Sequence, residues 1–391
     1  MGNQSVRREF LPFCRPLLGK DEEDAVLDVL RSGWLTTGLR AMQFEKDFAE
    51  YKGCKHAVSV NSCTAALHLA LVALGIKDGD EVITTPITWP STVNVILHQR
   101  AVPVFVDVES GTLNIDASRI EEKITKQTKA ILPVHLAGHP CDMDEINSIA
   151  DKYGLYVIED SAHTLEAEYK GRKTGTLGDV GCFSFYPTKN ITTVEGGMLT
   201  TNNDQVAELA KIYSFGGIDR DAWKRYGTEG YRHWEVIYPG YKYNMPDIAA
   251  ALGICQLKRV DEFWGVRKKY AEMYDEAFSK IPEIRPLERE SHVRHSHHLY
   301  VIVVDIDQLT VDRDTIMNAI QEESIGIGVH FRALHLQECY RNLCGHKRGD
   351  FPNAEYASDR IISLPLYPAM SESDVQDVIQ AVEKVVKVYR R

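Results

Sequence analysis

One lysine of this sequence follows an apolar stretch in a position that favours chemistry. The run 180–185 is short and apolar, as strands are, and Pro187 interrupts it before Lys189 appears on a turn ahead of Gly196-Gly197. A lysine that is held rigidly and partly removed from water is suited to forming a Schiff base with a carbonyl group. The alternative is an ordinary surface lysine in a loop, and this stretch alone favours neither.

Further polar and aromatic side chains follow other apolar runs upstream. Ser62 and Thr64 come after the run 56–60 and open a helix whose free amides can hold a phosphate. Trp89 follows the next run and can stack on a planar ring, and Asp160 follows a later one and can pair with a ring nitrogen. Taken singly, each has a plainer explanation as a helix cap or a core residue.

Together, these residues supply what pyridoxal phosphate requires of a protein: an anchored phosphate, a clamped ring, an acidic partner for the pyridinium and a lysine. The prediction depends on the conjunction, because the members appear in chain order after successive predicted strands. They include neither a glycine-rich dinucleotide fingerprint nor a Walker-type phosphate loop, so neither of those nucleotide sites is predicted.

The elements that must position these residues alternate along the chain. Short apolar strands separated by helices predict a mostly parallel sheet with both faces covered. Ligands of such sheets bind beyond the carboxyl ends of the strands, which is where the polar residues stand. We predict strands at 56–60, 81–85, 102–106, 130–134, 155–158, 180–185 and 198–200, and helices at 21–32, 44–51, 65–74, 90–99, 117–124, 142–153 and 205–213.

A second, smaller part of the chain begins near residue 260. Before it comes an irregular segment, 219–239, rich in Trp, Tyr, Arg and Gly, and long loops of this kind are usually functional or mobile. The predicted elements that follow are helices at 246–257 and 261–279, a strand at 299–304, a helix at 313–322, a strand at 325–329 and a closing helix at 372–389. We therefore predict a large α/β domain over 1–259 and a small α+β domain over 260–391.

Composition narrows the classes of partner. The 391 residues carry a net charge of −11 without a basic stripe, which argues against nucleic acid. No apolar run approaches the length of a membrane span, and the first residues lack the apolar core of a secretory signal, so we predict a cytoplasmic protein. The cluster His335, Cys339, Cys344 and His346 fits no common zinc spacing, and we predict no metal.

Several motifs resemble the DegT/DnrJ/EryC1/StrS family of sugar aminotransferases, which are fold-type I pyridoxal-phosphate enzymes. They are Glu159-Asp160-Ser161-Ala162-His163, Ser184-Phe185-x-x-x-Lys189 and Glu195-Gly196-Gly197. The likeness covers nearly the whole chain and includes the segments 33–38, 62–67, 88–89, 240–245, 328–331 and 364–366. Val194 departs from it, since many members have glycine there, and we expect only a local change of packing.

The resemblance implies a mostly parallel seven-stranded sheet sandwiched by helices, with a smaller C-terminal domain. It also implies transfer of an amino group from an amino acid to a keto sugar. The expected donor is glutamate, and the expected acceptor is a nucleotide-linked 4-keto or 3-keto deoxysugar. Two alternatives stay open, a keto-cyclitol acceptor and a regulatory protein on the same fold. The family's dehydratases carry histidine in place of the lysine, so Lys189 argues against that activity.

The resemblance also extends the list of site residues. It implies that Cys63 and Ser184 join the phosphate site and that His163 lies near the ring hydroxyl. It further implies a homodimer with shared active sites, in which Asn244 reaches the cofactor phosphate of the neighbouring subunit, with Lys242 as the alternative. The residues expected near the substrates are Thr36, Lys242, His330 and Arg332, of which Lys242 and Arg332 are candidates for the donor carboxylate.

Overall fold

Short strands and longer helices alternate in the computed structural model, which describes residues 5–218 and 234–391. The strands are β1 His56–Val60, β2 Glu81–Thr84, β3 Val102–Phe105, β4 Thr128–Ile131, β5 Tyr156–Asp160, β6 Glu168–Tyr169, β7 Arg172–Lys173, β8 Val180–Ser184, β9 Gly197–Thr201, β10 Ile284–Pro286, β11 Val293–Arg294, β12 Tyr300–Val304 and β13 Ile361–Leu364. The helices are α1 Lys20–Ser32, α2 Leu39–Lys52, α3 Cys63–Ala73, α4 Pro90–His98, α5 Met143–Tyr153, α6 Asp204–Ser214, α7 Asp247–Lys258, α8 Val260–Phe278, α9 Arg313–Glu322, α10 Glu338–Cys344, α11 Pro352–Ser358 and α12 Glu372–Tyr389.

Seven of the strands form one sheet in the order β1-β9-β8-β5-β4-β2-β3. Only β9 runs antiparallel to its two neighbours, and the other pairings are parallel. The carboxyl ends of β1, β5 and β8 therefore meet at one edge, where Gly197 at the start of β9 pairs with Val60 and with Ser184. The predicted seven-stranded, mostly parallel sheet is confirmed.

Both faces of this sheet are buried under helices. Val180 and Cys182 of β8 pack in a cluster with α3 and α6. Phe183 and Phe185 pack on the opposite side, in a cluster with α2 and α7. Alternate side chains of a strand point to opposite faces, so this apolar run is the pattern of a strand that is buried twice.

The C-terminal residues build a second, antiparallel sheet in the order β10-β12-β13. It shares an apolar core with α8, α9 and α12, and Leu11 from the start of the chain joins the same core. Leu11 also forms a bridge with Ile325. The division of the chain at residues 259 and 260 stays a prediction.

Two predicted elements are wrong. The helix predicted at 117–124 is a pair of single-turn 3₁₀ segments, Ala117–Arg119 and Glu121–Lys123, because Asp116 caps the first and Ile124 is already extended. The strand predicted at 325–329 forms only isolated bridges. Gly326 explains this, since its backbone lies so close to residues 11–13 that an added Cβ would stand 2.6 Å from the amide nitrogen of Phe13.

Some elements were not predicted at all. A small sheet with the order β11-β6-β7 joins residues far apart in sequence, and its two-residue strands carry no periodic signal. The helices α10 and α11, of seven residues each, and the strands β10 and β13, of three and four residues, are also too short to show a clear period. Most of the irregular segment predicted at 219–239 lies outside the described residues.

Candidate active site

The turn after β8 brings Lys189 back toward the sheet edge. Pro187 ends the strand ladder, and the amide of Lys189 donates to the carbonyl of Tyr186 at 2.8 Å. Burial lowers the pKa of Lys189 to about 8, while Cys63 and Asp160 oppose that shift. Within residues 5–218 and 234–391, Nζ has no hydrogen-bonding partner. The backbone of the turn therefore sets the position of the amine, which has no hydrogen bond of its own among the described residues.

Asp160 is the last residue of β5 and lies beside β8 in the sheet. One carboxylate oxygen accepts from Thr92 Oγ1 at 2.8 Å, and the other accepts from the amide of Ala162 at 3.2 Å. Burial raises the pKa of Asp160, whereas these two hydrogen bonds and the charge of Lys189 lower it. Both donors stabilise the ionised carboxylate and fix its orientation.

The N-terminus of α3 lies at the same edge. Ser62 caps the helix by accepting from the amide of Ala65 at 3.1 Å, and Thr64 Oγ1 donates to Ser91 Oγ at 2.7 Å. Gly197 packs against this turn so tightly that a Cβ would stand 2.4 Å from the carbonyl carbon of Ser62. The glycine therefore allows β9 to approach a helix start whose free amides can bind an anion.

A buried histidine lies beside Lys189 and Asp160. His163 Nδ1 accepts from the amide of Ala137 at 3.3 Å, and burial together with the charge of Lys189 holds its pKa well below the ordinary value. Its ring centroid is 4.4 Å from that of His298 and 5.9 Å from that of Phe331. His163 is thus a neutral ring that packs among other aromatic rings. We call Cys63, Asp160, His163, Lys189 and His330 the lysine cluster.

Comparison with known proteins identifies the family of this chain. The model of the DegT/DnrJ/EryC1/StrS aminotransferase family matches residues 16–383. This chain belongs to the DegT/DnrJ/EryC1/StrS aminotransferase family. The family's enzymes depend on pyridoxal phosphate, so the protein is a pyridoxal-phosphate-dependent sugar aminotransferase, as the resemblance implied.

Individual relatives cover almost the full length of this family member. The spore coat polysaccharide biosynthesis protein SpsC of Bacillus subtilis is 48% identical over 97% of this chain and 98% of its own. A sugar aminotransferase, Spr1654 of Streptococcus pneumoniae in its PMP form, superposes with a TM-score of 0.91 at 33% identity, covering 97% of this chain and 99% of that one. PseC of Helicobacter pylori, an aminotransferase of pseudoaminic acid biosynthesis, gives a TM-score of 0.90 at 31% identity, covering 98% and 100%.

The remaining predicted cofactor residues of this aminotransferase are near the same edge. Ser184 ends β8 and accepts from the amide of Tyr186 at 3.4 Å, and Cys63 is the buried first residue of α3. Trp89 precedes α4, is 60% exposed, and has its ring 6.0 Å from that of Phe331. An exposed indole above buried neighbours leaves a free aromatic face, in contrast to a core tryptophan.

The predicted residues Thr36, Lys242 and Asn244 belong to a second group, which we call the loop cluster and which also includes Thr37 from the segment 33–38. Asn244 Nδ2 donates to Thr37 Oγ1 at 2.6 Å, and both residues line a cleft of about 600 Å³. Lys242 is exposed, with Nζ 4.3 Å from the centroid of the Phe215 ring. Within one chain, the Asn244 side chain therefore contacts Thr37 and no phosphate-site hydroxyl among the described residues.

The two predicted residues of the segment 330–332 differ in environment. His330 Nδ1 is 2.9 Å from Ser363 Oγ, and burial and the charge of Lys189 lower its pKa to about 4. Arg332 is exposed and has no hydrogen bond or ion pair with any described residue. His330 is thus a neutral neighbour of Lys189, and Arg332 is a cation available to an anionic ligand.

Val194, where many family members have glycine, has a backbone conformation that glycine favours. Its φ is 72°, in the left-handed region that favours glycine, and its side chain is 64% exposed. The exposed side chain has little to pack against, and the expected local change of packing stays a prediction. The β-branched residue carries strain in the main chain.

Three residues of the site were not predicted. Thr92, in the first turn of α4, orients Asp160 and also shares a 2.8 Å hydrogen bond with Thr88, which precedes the helix. Asn190 and His298 are buried behind Lys189. Threonines at helical spacing and an asparagine next to the lysine were available signals, but only contacts across the fold give them a role.

The cluster considered for zinc has ordinary structural partners. His335 Nε2 is 3.0 Å from Glu355 Oε1, and Cys339 is exposed. In the ranges that the structure describes, no group of three or more His, Cys, Asp or Glu side chains is arranged to hold a metal ion. Nor does any helix of those ranges have the length and apolarity needed to cross a membrane.

Proposed function

We propose that this enzyme transfers the amino group of L-glutamate to the keto group of a nucleotide-linked deoxysugar. The observation that carries the proposal is the lysine of lowered pKa that shares the sheet edge with a buried, doubly hydrogen-bonded carboxylate. The relatives support the acceptor class, since SpsC belongs to spore coat polysaccharide biosynthesis and PseC to pseudoaminic acid biosynthesis.

The donor groups at the edge fit the cofactor. Ser62, Cys63, Thr64 and Ser184 surround the start of α3, where hydroxyls and free amides would hold the phosphate. Trp89 and His163 would flank the ring, and Asp160 would pair with its nitrogen. When bound, pyridoxal phosphate supplies an electron sink for the carbon that loses its proton.

Lys189 is proposed as the covalent anchor and the proton carrier. Because burial lowers the pKa of Lys189 to about 8, its Nζ is neutral more often near neutral pH than the amine of an ordinary lysine. With cofactor and donor bound, Nζ would be the base that takes the proton from the donor carbon and the acid that gives it back. Because Nζ has no hydrogen-bonding partner among the described residues, no protein group competes for that lone pair.

Asp160 is proposed to keep the ring nitrogen protonated. Burial alone would favour a neutral carboxyl group, which could not hold a cation. The hydrogen bonds from Thr92 and Ala162 favour the charged form and leave the carboxylate in one orientation. The same burial that raises its pKa strengthens its attraction for a pyridinium, because water does not screen it.

The donor carboxylate requires a cation. Arg332 fits best, because it is exposed and unpaired among the described residues, whereas Lys242 already contacts the Phe215 ring. His330, neutral beside Lys189, and Thr36, exposed in the loop ahead of α2, are proposed to face the substrates.

The active unit is proposed to be a homodimer in which Asn244 reaches the partner's cofactor phosphate. Asn244 lies in the loop cluster and not at the phosphate site of its own chain. Large apolar side chains next to that cluster are exposed to solvent, which is unfavourable unless another surface covers them. The exposed fractions are 42% for Trp34, 47% for Leu35, 77% for Leu39 and 48% for Met42. A patch of this kind is typical of a protein interface.

The test is a substrate panel. Purified enzyme with glutamate is incubated with nucleotide-linked 4-keto and 3-keto deoxysugars and with a keto-cyclitol, and the aminated product is identified by mass. We expect turnover of a nucleotide-linked keto sugar with release of 2-oxoglutarate. Turnover of the keto-cyclitol alone would transfer the assignment to aminocyclitol synthesis, and absence of a half-reaction with glutamate would refute the donor.

A further inference from the structure

The side chain of Asn190, the residue after Lys189, has several hydrogen bonds, whereas the lysine amine has none among the described residues. Asn190 is buried, and its side-chain amide donates to Glu166 Oε2 and, at 3.2 Å, to the carbonyl of Ser296. Its Oδ1 lies 2.9 Å from His298 Nδ1. Glu166 and the carbonyl only accept, so the amide has one orientation, and His298 Nδ1 must be the donor.

A buried ion pair anchors this asparagine from behind. Glu166 pairs with Arg267, and both side chains are almost wholly buried. Arg267 Nη1 also donates to the backbone carbonyl of Asn190 at 3.4 Å. Burial raises the pKa of Glu166, and the charge of Arg267 opposes that shift. The side chain and the main chain of Asn190 are thus both tied to one buried charge pair.

The segment 296–298 contacts the other side of the lysine cluster. Ser296 Oγ donates to the carbonyl of His163, and the His298 ring lies 4.4 Å from the His163 ring at 34°. Burial, with His163 and Lys189 next in effect, holds the pKa of His298 well below its ordinary value, so the ring is neutral. His298 therefore bonds the turn that carries Lys189 with its Nδ1 and packs on His163 with its ring.

We propose that Asn190 and His298 form a positioning pair that sets the Lys189 turn at a fixed distance from His163. The inference rests on the proposed roles of Lys189 and His163. A lysine side chain has many rotamers, and Nζ has no bond of its own within the described ranges, so the main chain at 189–190 determines where the amine arrives. Displacements of about 1 Å reduce reactions at such centres by about 10²-fold.

If this proposal is right, loss of the pair slows the reaction of Lys189 with the cofactor and leaves cofactor binding unchanged. In His298→Phe the ring remains to pack on His163, but the donor to Asn190 is lost. Apoprotein should still bind pyridoxal phosphate, measured by ultrafiltration, because the phosphate site is untouched. The rate at which bound cofactor becomes trapped on Lys189 by short borohydride pulses should fall about tenfold, as expected for one lost hydrogen bond that leaves a buried acceptor unpaired.

Further variants separate positioning from folding. His298→Asn keeps an N–H donor near the place of Nδ1 and should restore trapping, whereas His298→Leu, of similar size, should not. The double variant Asn190→Ala/His298→Phe should be no slower than Asn190→Ala alone, since the bond is already absent. His335→Phe makes the same change at a buried histidine bonded to Glu355 and should lower the melting temperature without changing the trapping rate.

The outcomes distinguish this pair from the proposed function. Peptide mass spectrometry of the reduced wild-type protein identifies the modified lysine. Cofactor on a lysine other than Lys189 would refute the proposed role of Lys189 and the pair with it. Cofactor on Lys189 at equal rates in the wild type, His298→Phe and His298→Leu would refute the pair alone. Equal slowing in His335→Phe would likewise refute it, since general loosening would then explain the effect.

Discussion

The lysine cluster and the loop cluster differ in how complete they are within one chain. In the lysine cluster, Asp160 and His163 each have defined hydrogen-bonding partners within the same chain. In the loop cluster, Asn244 bonds Thr37 at the wall of an open cleft, and the apolar side chains nearby are exposed. On the proposed roles, one chain preorganises the covalent chemistry and most of the phosphate site, whereas a contact of Asn244 with a phosphate depends on what covers the loops.

The largest expected effect is at the centre of the lysine cluster. Lys189→Ala should lose the absorbance of the covalently bound cofactor and reduce transamination by at least about 10⁴-fold, because both the anchor and the proton carrier are removed. The matched control is Lys52→Met, which removes another buried lysine, with a pKa lowered to about 7 by burial and bonded to the carbonyl of Leu165. Borohydride fixation of cofactor to Lys52 would contradict the assignment.

A neutral amide at residue 160 tests whether the charge is needed. Asp160→Asn should fold and bind cofactor but transaminate about 10²- to 10³-fold more slowly, since an amide cannot keep the ring nitrogen protonated. Asp107→Asn is the control, because Asp107 is a buried carboxylate that accepts from the amides of Asn353 and Ala354. It should change the melting temperature and leave the rate constant nearly unchanged. Wild-type turnover in Asp160→Asn would exclude Asp160 from the mechanism.

Subunit mixing tests whether the loop cluster serves the partner. Lys189→Ala chains and Asn244→Ala chains are each impaired alone, and a mixed dimer would hold one doubly damaged site and one intact site. Random exchange should therefore restore about a quarter of wild-type activity. Native mass spectrometry verifies that mixed dimers form. If they form and activity does not rise above that of either parent, each chain builds its own site.

The smallest effect lies at Val194, between the lysine turn and Gly197. Val194→Gly should increase the free energy of unfolding by about 1 kcal/mol in urea titrations, because glycine adopts the observed positive φ without the clash of a Cβ. Val194→Ala keeps a Cβ and should give little of this gain. Activity should stay near wild type in both, since the side chain is exposed. A gain in the alanine variant equal to that in glycine would point to side-chain effects instead of backbone strain.

Sequence patterns predicted long elements well and short ones poorly. The helices α9 and α12 have the predicted bounds, 313–322 and 372–389, because each shows a sustained apolar stripe. The predicted helix at 117–124 and strand at 325–329 failed where a cap and a close backbone approach decided the local structure. The strands β6, β7 and β11 are only two residues long, which is too short to show a period in the sequence. The pairing of β11 with β6, from a distant part of the chain, appears only in the fold.

What the sequence determined by itself is which polar residues stand at the strand ends. A lysine after an apolar run, a carboxylate after another and hydroxyls at a helix start are readable, because parallel strands carry their ends to one edge. What only the tertiary structure decided is the support of those groups. Thr92 behind Asp160, and Asn190 with His298 behind Lys189, are joined across 68 and 108 residues of sequence. Hydrogen bonds over such separations depend on how distant segments pack, which local propensity and periodicity do not encode.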